Sequence, residues 1–570
     1  MRRSLAISLL SVMSIGVTWA QSDARTDSMQ NQNNPWKLKT AFGIQSDIHY
    51  STQKGIKNKW MGNTYITGNI SNEFFEAGMR FEELSHPLPG HEDEKGWGLP
   101  NIYLKGRYKG MEATVGDLYE QFGSGILLRS YEERNLGIDN AIRGGRITIR
   151  TVKGLTLKAL GGQQRNYFDH NGRIFNSDRG YIWGGDVELG INQWIKSLDN
   201  NGWVINLGAS FVSKHESPSD ITKTINNKLY LLHQPQNVPA WGARLQLRHG
   251  NWDLYGEYAY KYNDPNADNN YIYRNGSVAM LTATYADKGL SILLGARRSD
   301  NFDFRSSRTA MLTALRINHL QPFTQQQTYS LAALYPYATQ PGGEWAFQSE
   351  LRYKFAKGSP LGGKYGTGVK LSASHVRGIK KQWPTEEIAN NPKDESVVGT
   401  DGYTSGFFDM DNSYFHDIDL EISKKISPTY SYTFTYMNQF YNQKVIEGHA
   451  ENGDIIHSNI FIYDGKHKLS KKLALRTELQ YLHTKQAEKD WLFGLAELSV
   501  LPYFIFTVSD QWNVGVTNKH YYMFAAAGTY GPHRLQISYG RTRKGINCSG
   551  GVCRMMPATE GVYLSYNVNF

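Results

Sequence analysis

Residues 36–50 read Trp-Lys-Leu-Lys-Thr-Ala-Phe-Gly-Ile-Gln-Ser-Asp-Ile-His-Tyr. The even positions hold Trp36, Leu38, Phe42, Ile44, Ile48 and Tyr50, and the odd ones include Lys37, Lys39, Gln45, Asp47 and His49. Successive side chains of a strand point to opposite faces, so the segment carries one apolar and one polar face. The pattern recurs along the chain. Phe75, Ala77, Met79 and Phe81 alternate with Glu76, Arg80 and Glu82. Trp241, Ala243, Leu245 and Leu247 alternate with Arg244, Gln246 and Arg248, and Leu351, Tyr353 and Phe355 with Glu350, Arg352 and Lys354. Leu473, Leu475, Leu479 and Tyr481 alternate with Lys472, Arg476, Glu478 and Gln480, and Leu535, Ile537 and Tyr539 with Arg534, Gln536 and Ser538. The last residues bring Val562, Leu564, Tyr566, Val568 and Phe570 onto one face.

Glycine-containing turns join many of these runs, at Lys109-Gly110, Lys153-Gly154, Gly250-Asn251 and Lys288-Gly289. Glycine supplies the positive φ that tight hairpins need. Longer polar connections, at 214–238, 263–273, 378–412 and 542–558, alternate with them. Short turns at one end and long loops at the other are the asymmetry of an outer-membrane barrel. Clustered tyrosines at 255, 258, 260 and 262, and at 430, 432 and 436, fit interfacial girdles. A string of soluble β-sandwiches also alternates, but here no interdomain linker breaks residues 36–570. The expected fold is therefore all-β: one large antiparallel transmembrane β-barrel of about 26 strands, with an inward-folded loop.

Composition agrees. The chain has 570 residues, 13% aromatic and 20% charged, with 56 Gly and two Cys. It is too aromatic for a disordered chain and too poor in thiols for a multi-cysteine zinc site. Arg2 and Arg3, the apolar run 5–17 and Thr18-Trp19-Ala20 read as a signal peptide over 1–20, cut before Gln21. Residues 21–34 are expected to form a polar N-terminal tail, and 35–570 the barrel. Removing Arg2 and Arg3 lowers the formal charge from +10 to +8. These charges are dispersed, and an exported protein is not expected to meet nucleic acid. The location expected is the outer membrane of a Gram-negative bacterium. The expected partners are outer-membrane lipids, the barrel-insertion machinery through the C-terminal strand, and other outer-membrane proteins.

Barrels of about 16–18 strands already enclose an aqueous channel, so a wider one needs its lumen narrowed. Two segments qualify. Residues 118–146 mix charges with glycine and lose the alternation, yet Phe122, Leu127 and Leu128 call for a wall to pack on. Residues 380–411 are the second, rich in Asp, Glu, Gly and Pro. Arginine facing lipid at the midplane costs roughly 2–4 kcal/mol, so the basic residues of the polar faces should face the lumen. The expected constriction comprises Arg129, Glu132, Glu133, Arg134, Arg143, Arg146, Arg150, Arg244, Arg352 and Arg476. Basic rings favour anions, which makes the expected function a channel for polar, anion-leaning solutes. The alternative is a scaffold barrel within a multi-protein transport or assembly complex.

Cys548 and Cys553 flank Ser-Gly-Gly-Val in the last outer loop, and export favours a disulfide between them. No cofactor or resident metal is expected: the acidic stretch around Asp409 and Asp411 lacks an EF-hand spacing. Gly123-Ser124-Gly125 is not a nucleophile elbow, and no enzyme is expected.

The stretch 116–134, Gly-Asp-Leu-Tyr-Glu-Gln-Phe-Gly-Ser-Gly-Ile-Leu-Leu-Arg-Ser-Tyr-Glu-Glu-Arg, resembles a signature of uncharacterised Bacteroidota outer-membrane barrel proteins. Residues 334–340 and 361–365 are similar to it as well. The resemblance implies an outer-membrane barrel over nearly the whole mature chain. It brings no activity, because that family is a domain of unknown function.

Mass spectrometry of the protein purified from outer membranes should find Gln21 at the N-terminus. Recovery of Met1 would contradict the signal-peptide reading.

Overall fold

The computed structural model describes residues 35–168, 180–225, 228–232, 234–383, 402–448 and 453–570. The expected signal peptide and tail, and most of 380–411, lie outside the described residues.

The alternating segments form a single 24-stranded sheet. Each strand pairs with the next one along the chain, all antiparallel, beginning with Lys39–Ser51 against Trp60–Ser71. The last strand, Thr559–Asn569, pairs with its predecessor His533–Thr542 and also with Lys39–Ser51, in the register Gln45↔Asn567, Asp47↔Ser565 and Ile48↔Leu564. That second pairing closes the sheet into a barrel. The strand number is 24 rather than about 26. Residues 301–342 are long enough for another hairpin, but they contribute no strand to the wall.

The turns fall where expected. Tyr108 and Met111 end neighbouring strands, and Lys109 (φ 44°) and Gly110 (φ 81°) between them both take positive φ. This is the requirement of the two-residue turn whose twist matches the strands it joins. Two-residue turns at 250–251, 288–289 and 531–532, each with one positive-φ glycine, lie at the end where the first strand begins and the last strand stops. The opposite end carries the long connections, including 85–95, 119–141, 301–342 and 543–558.

Polarity is inverted relative to a soluble protein. The outward side chains are apolar and exposed, among them Leu254, Leu281, Leu294, Ile418, Leu479, Phe506 and Ile537. The inward ones include buried Asp186, Arg244, Glu257, Gln439, Asp464, Glu478 and Gln480. Aromatic side chains meet across strands on the outer face: Trp241 lies 5.8 Å from Tyr258 and 5.9 Å from Tyr260, ring centre to ring centre. Tyr255 departs from the girdle expected of its cluster. It is an odd position on a strand whose even positions face out, and its hydroxyl donates to Glu257 Oε2 at 2.6 Å within the barrel.

An arginine at Leu281, which is 60% exposed on the outer face, should destabilise the barrel in lipid vesicles by roughly 2–4 kcal/mol. Denaturant titration in those vesicles reads the difference, and a neutral result would mean that this face does not meet hydrocarbon.

Candidate functional site: a lumen filled by its own chain

Two connections from the long-loop end fold back into the barrel. The first is 119–141. Its tip is a short ribbon in which Gln121–Phe122 pairs with Leu128–Arg129 around Gly123-Ser124-Gly125. Gly123 takes φ 55°, and a Cβ there would lie 2.5 Å from Glu257 Oε1 on the wall. Glycine makes that approach without strain or displacement of Glu257. The Ser124 N–H then donates to Glu257 Oε2 at 3.1 Å. Phe122, Ile126, Leu127 and Leu128 are buried against Ile182, Val212, Val238, Ala240 and Val278 of the inner wall. Each such side chain contributes roughly 1.5–3 kcal/mol by leaving water.

The base of this segment is tied by charge. Arg80 of the strand Phe75–Leu84 donates to Glu82 at 2.7 Å, to Glu132 at 2.8 Å and to Asp139 at 2.5 Å. Arg165 bonds Glu82 at 2.7 Å and also reaches Asp139, to which the Tyr119 hydroxyl donates at 2.8 Å. Every ionised group in the cluster has an opposite partner, which such burial requires.

The second inward segment is 301–342, and the sequence reading did not single it out. One part joins the first segment. Phe302, Phe304, Ile317 and Leu320 complete the Phe122 cluster, the Arg129 N–H donates to the Ile317 carbonyl, and the His319 N–H to that of Gly125. Burial first, then the charges of Arg129, Arg316 and Arg297, push the His319 imidazole down to about 3, so it stays neutral at physiological pH. The other part crosses to the far wall. There Leu331, Leu334, Tyr335 and Tyr337 pack on Phe415, Met437, Ile460, Leu482 and Trp491. The Leu331 N–H donates to Gln480 Oε1 at 2.8 Å, and Gln439 Nε2 to the Tyr335 carbonyl at 3.0 Å. A usable signal existed. Segment 301–342 interrupts the alternation yet carries Phe302, Phe304, Phe323, Leu331, Leu334, Tyr335 and Tyr337, too much apolar surface for a solvated loop.

A ribbon of the last long connection covers both segments. Gly545–Ser549 pairs with Val552–Met556, and a disulfide joins Cys548 to Cys553 across it. The Gly551 carbonyl accepts from the Thr339 N–H at 3.0 Å, and Arg554 donates to Glu94 at 2.9 Å and to the Leu136 carbonyl at 3.1 Å.

The ten residues expected to line a constriction are placed differently from one another. Four lie on the first segment. The Arg129 guanidinium is 4.5 Å from the Tyr131 ring centre, Glu132 binds Arg80 and Arg134, and Glu133 accepts from Asn135. Arg134 donates to Gln45 Oε1 at 2.7 Å and stacks 3.9 Å from the Tyr65 ring centre. Arg146 faces inward between Glu112 and Glu120, Arg244 between Asp186 and Glu188, and Arg476 between Asp464 and Glu478. Arg352, more than half exposed, pairs with Glu350 near the short-turn mouth. Two residues lie away from the constriction. Arg143 pairs with Asp117 at 2.7 Å, on the face that Val115 and Ile147 turn outward, because the strand positions alternate. Arg150 is exposed at the short-turn rim, past the end of its strand.

One sector of the wall takes little of the apolar packing, with Tyr521 its inward side chain that packs against a large cluster. It spans the strands from Phe504–Asn513 through the seam to Trp60–Ser71, and neither large cluster draws a buried residue from it. Its inward side chains are mainly small or polar: Thr507, Ser509, Ala525, Ala527, Gln536, Ser538, Ser565, Asn567, Gln45, Asp47 and Asn63. Between this wall and the first segment lies a cavity of about 200 Å³, lined by Asp47, Asn63, Tyr65, Arg134, Gln536 and Ser565 among others.

Replacing Phe122 by alanine should cost roughly 3–5 kcal/mol of stability, read by denaturant titration, because the cavity it leaves is walled on every side. A loss below about 0.5 kcal/mol, the size of ordinary surface changes, would mean that 119–141 does not pack in the lumen.

No curated protein matches the chain in sequence. Among solved structures it is similar to the siderophore receptor PirA from Pseudomonas aeruginosa, at 10% identity and a TM-score of 0.41, over 94% of this chain and 80% of that one. It is also similar to the P pilus usher PapC translocation pore, at 8% identity and a TM-score of 0.39, over 94% of this chain and 99% of that one. The outer membrane protein opdK from Pseudomonas aeruginosa matches at 13% identity and a TM-score of 0.35, over 79% and 99%. A family model matches residues 1–570, and the chain thus belongs to the family of unknown function DUF6029.

Proposed function

We propose that the protein is a non-enzymatic barrel of the Gram-negative outer membrane that passes small polar solutes along its closing seam. The observation that carries this reading is the cavity between the seam wall and Arg134, whose lining includes Asp47, Asn63, Gln536 and Ser565, beside the two apolar clusters that fill much of the remaining lumen. A passage needs a polar, wettable wall, and the seam sector is where the inward side chains are small and polar. The inward segment 119–141 acts as the near bank of the passage, while Leu118 and residues 142–146 belong to wall strands. Residues 301–342 hold that bank in place by filling the rest of the barrel.

The inward arginines support only a mild anion preference. Arg146, Arg244 and Arg476 each lie against two carboxylates, which cancel much of the field an anion would feel. At the seam, Arg134 shares the cavity lining with Asp47. The scaffold alternative drew its force from an over-wide lumen awaiting a partner. That force is reduced, because the chain's own segments occupy the space. Outer-membrane lipids on the apolar exterior, and the insertion machinery at the last strand, Thr559–Asn569, with Phe570 beyond it, remain the partners of this reading.

Refolded protein in planar bilayers should give small, steady conductance steps with weak ion selectivity. Deleting 120–140 should enlarge them, and Ser565→Trp or Gln536→Trp should shrink them. Silent wild type with a conducting deletion would point to a gated, partner-dependent machine. Unchanged conductance in both tryptophan variants would remove the seam passage.

A further inference from the structure

The strand Met410–Lys425 turns Asp417 and Asp419 inward, two positions apart and therefore on one face. In register opposite them stand Ser374 and Ser372 of the strand Thr367–Ile379. The four side chains are almost wholly buried: Asp417 and Ser372 are 1% exposed, Asp419 and Ser374 3%. Both carboxylate oxygens of Asp417, one of Asp419 and both serine hydroxyls are buried without a well-formed hydrogen bond. The second Asp419 oxygen accepts from Gln327 Nε2 at 2.7 Å, a residue of the lumen-filling segment 301–342. Among the described residues, no Lys or Arg comes within ion-pair distance of either aspartate. The closest candidate, Lys370, is directed to Glu421 at 3.6 Å.

Two adjacent carboxylates in a dry wall cannot stay charged and unpaired. Protonation, with the serine hydroxyls bridging the carboxyls, is one way to neutralise the pair; a bound cation is the other, and it takes the same five oxygens as ligands. The cation differs in joining both carboxylates and both serines at one point. Oxygen-only ligands, two of them carboxylates, suit a hard divalent ion that accepts six to eight oxygens in flexible geometry. We propose that Asp417, Asp419, Ser372 and Ser374 form a binding site for a divalent cation of the calcium class, where segment 301–342 docks on the wall through Gln327. Occupancy neutralises the acidic pair and fixes the docking point of the lumen-filling segment.

The test uses full-length protein in detergent, stripped with chelator and then titrated with CaCl2, with MgCl2 and NaCl as comparisons. Expected is a saturable rise in the thermal midpoint with Ca2+, and Tb3+ luminescence that Ca2+ displaces. Asp417→Asn and Asp419→Asn should each weaken Ca2+ affinity by about 10-fold or more. Asp287→Asn, at an exposed turn, should leave it unchanged. Should the aspartate variants fail to fold, Ser372→Ala and Ser374→Ala must still weaken Ca2+ binding measurably. A wild type without saturable response, the same affinity in the variants, or a midpoint that follows pH but not Ca2+ would each overturn the proposal.

Discussion

A sheet that crosses hydrocarbon can leave no edge, because an unpaired backbone N–H or C=O there has no water to turn to. The pairing of Lys39–Ser51 with Thr559–Asn569 meets that condition, and the other features of the molecule follow from it. Closing the sheet at 24 strands satisfies the backbone but encloses a wide space. Filling that space becomes the second structural problem, and the chain solves it with its own long connections.

The filling has two chemistries. Apolar side chains do most of the packing: the Phe122 cluster against one half of the wall and the Leu331–Tyr337 region against the other. Buried charge fixes where they dock, through Arg80, Arg165, Glu82 and Asp139 for the first segment. Apolar contact tolerates sliding, whereas a buried ion-pair cluster is satisfied in one arrangement. The seam sector has little of either, and there small and polar side chains line the interior.

Much of the barrel was legible because strand signals are local. The alternation of residues 36–50, the Lys109-Gly110 turn and the aromatic C-terminal strand each needs only neighbouring residues to be read. Phe122, Leu127 and Leu128 gave away the first inward segment for the same reason, since apolar side chains in an irregular stretch need a wall. Segment 301–342 carried that signal too, spread over more residues and without the mixed charge that drew attention to 118–146. Arg143 and Tyr255 were misplaced because each has the opposite parity from the residues it was grouped with, Arg146 for the one and Tyr258 and Tyr260 for the other.

The sequence by itself determined a closed antiparallel barrel with short turns at one rim and long connections at the other. Period two and turn chemistry dictate that much, whatever the distant residues do. Only the tertiary structure decided that residues 301–342 join the first segment in the lumen, that inward arginines meet carboxylates, that small and polar side chains line the seam and that Asp417 and Asp419 stand beside two serines. Each of these depends on register between strands far apart in the chain, and register emerges only when the sheet closes.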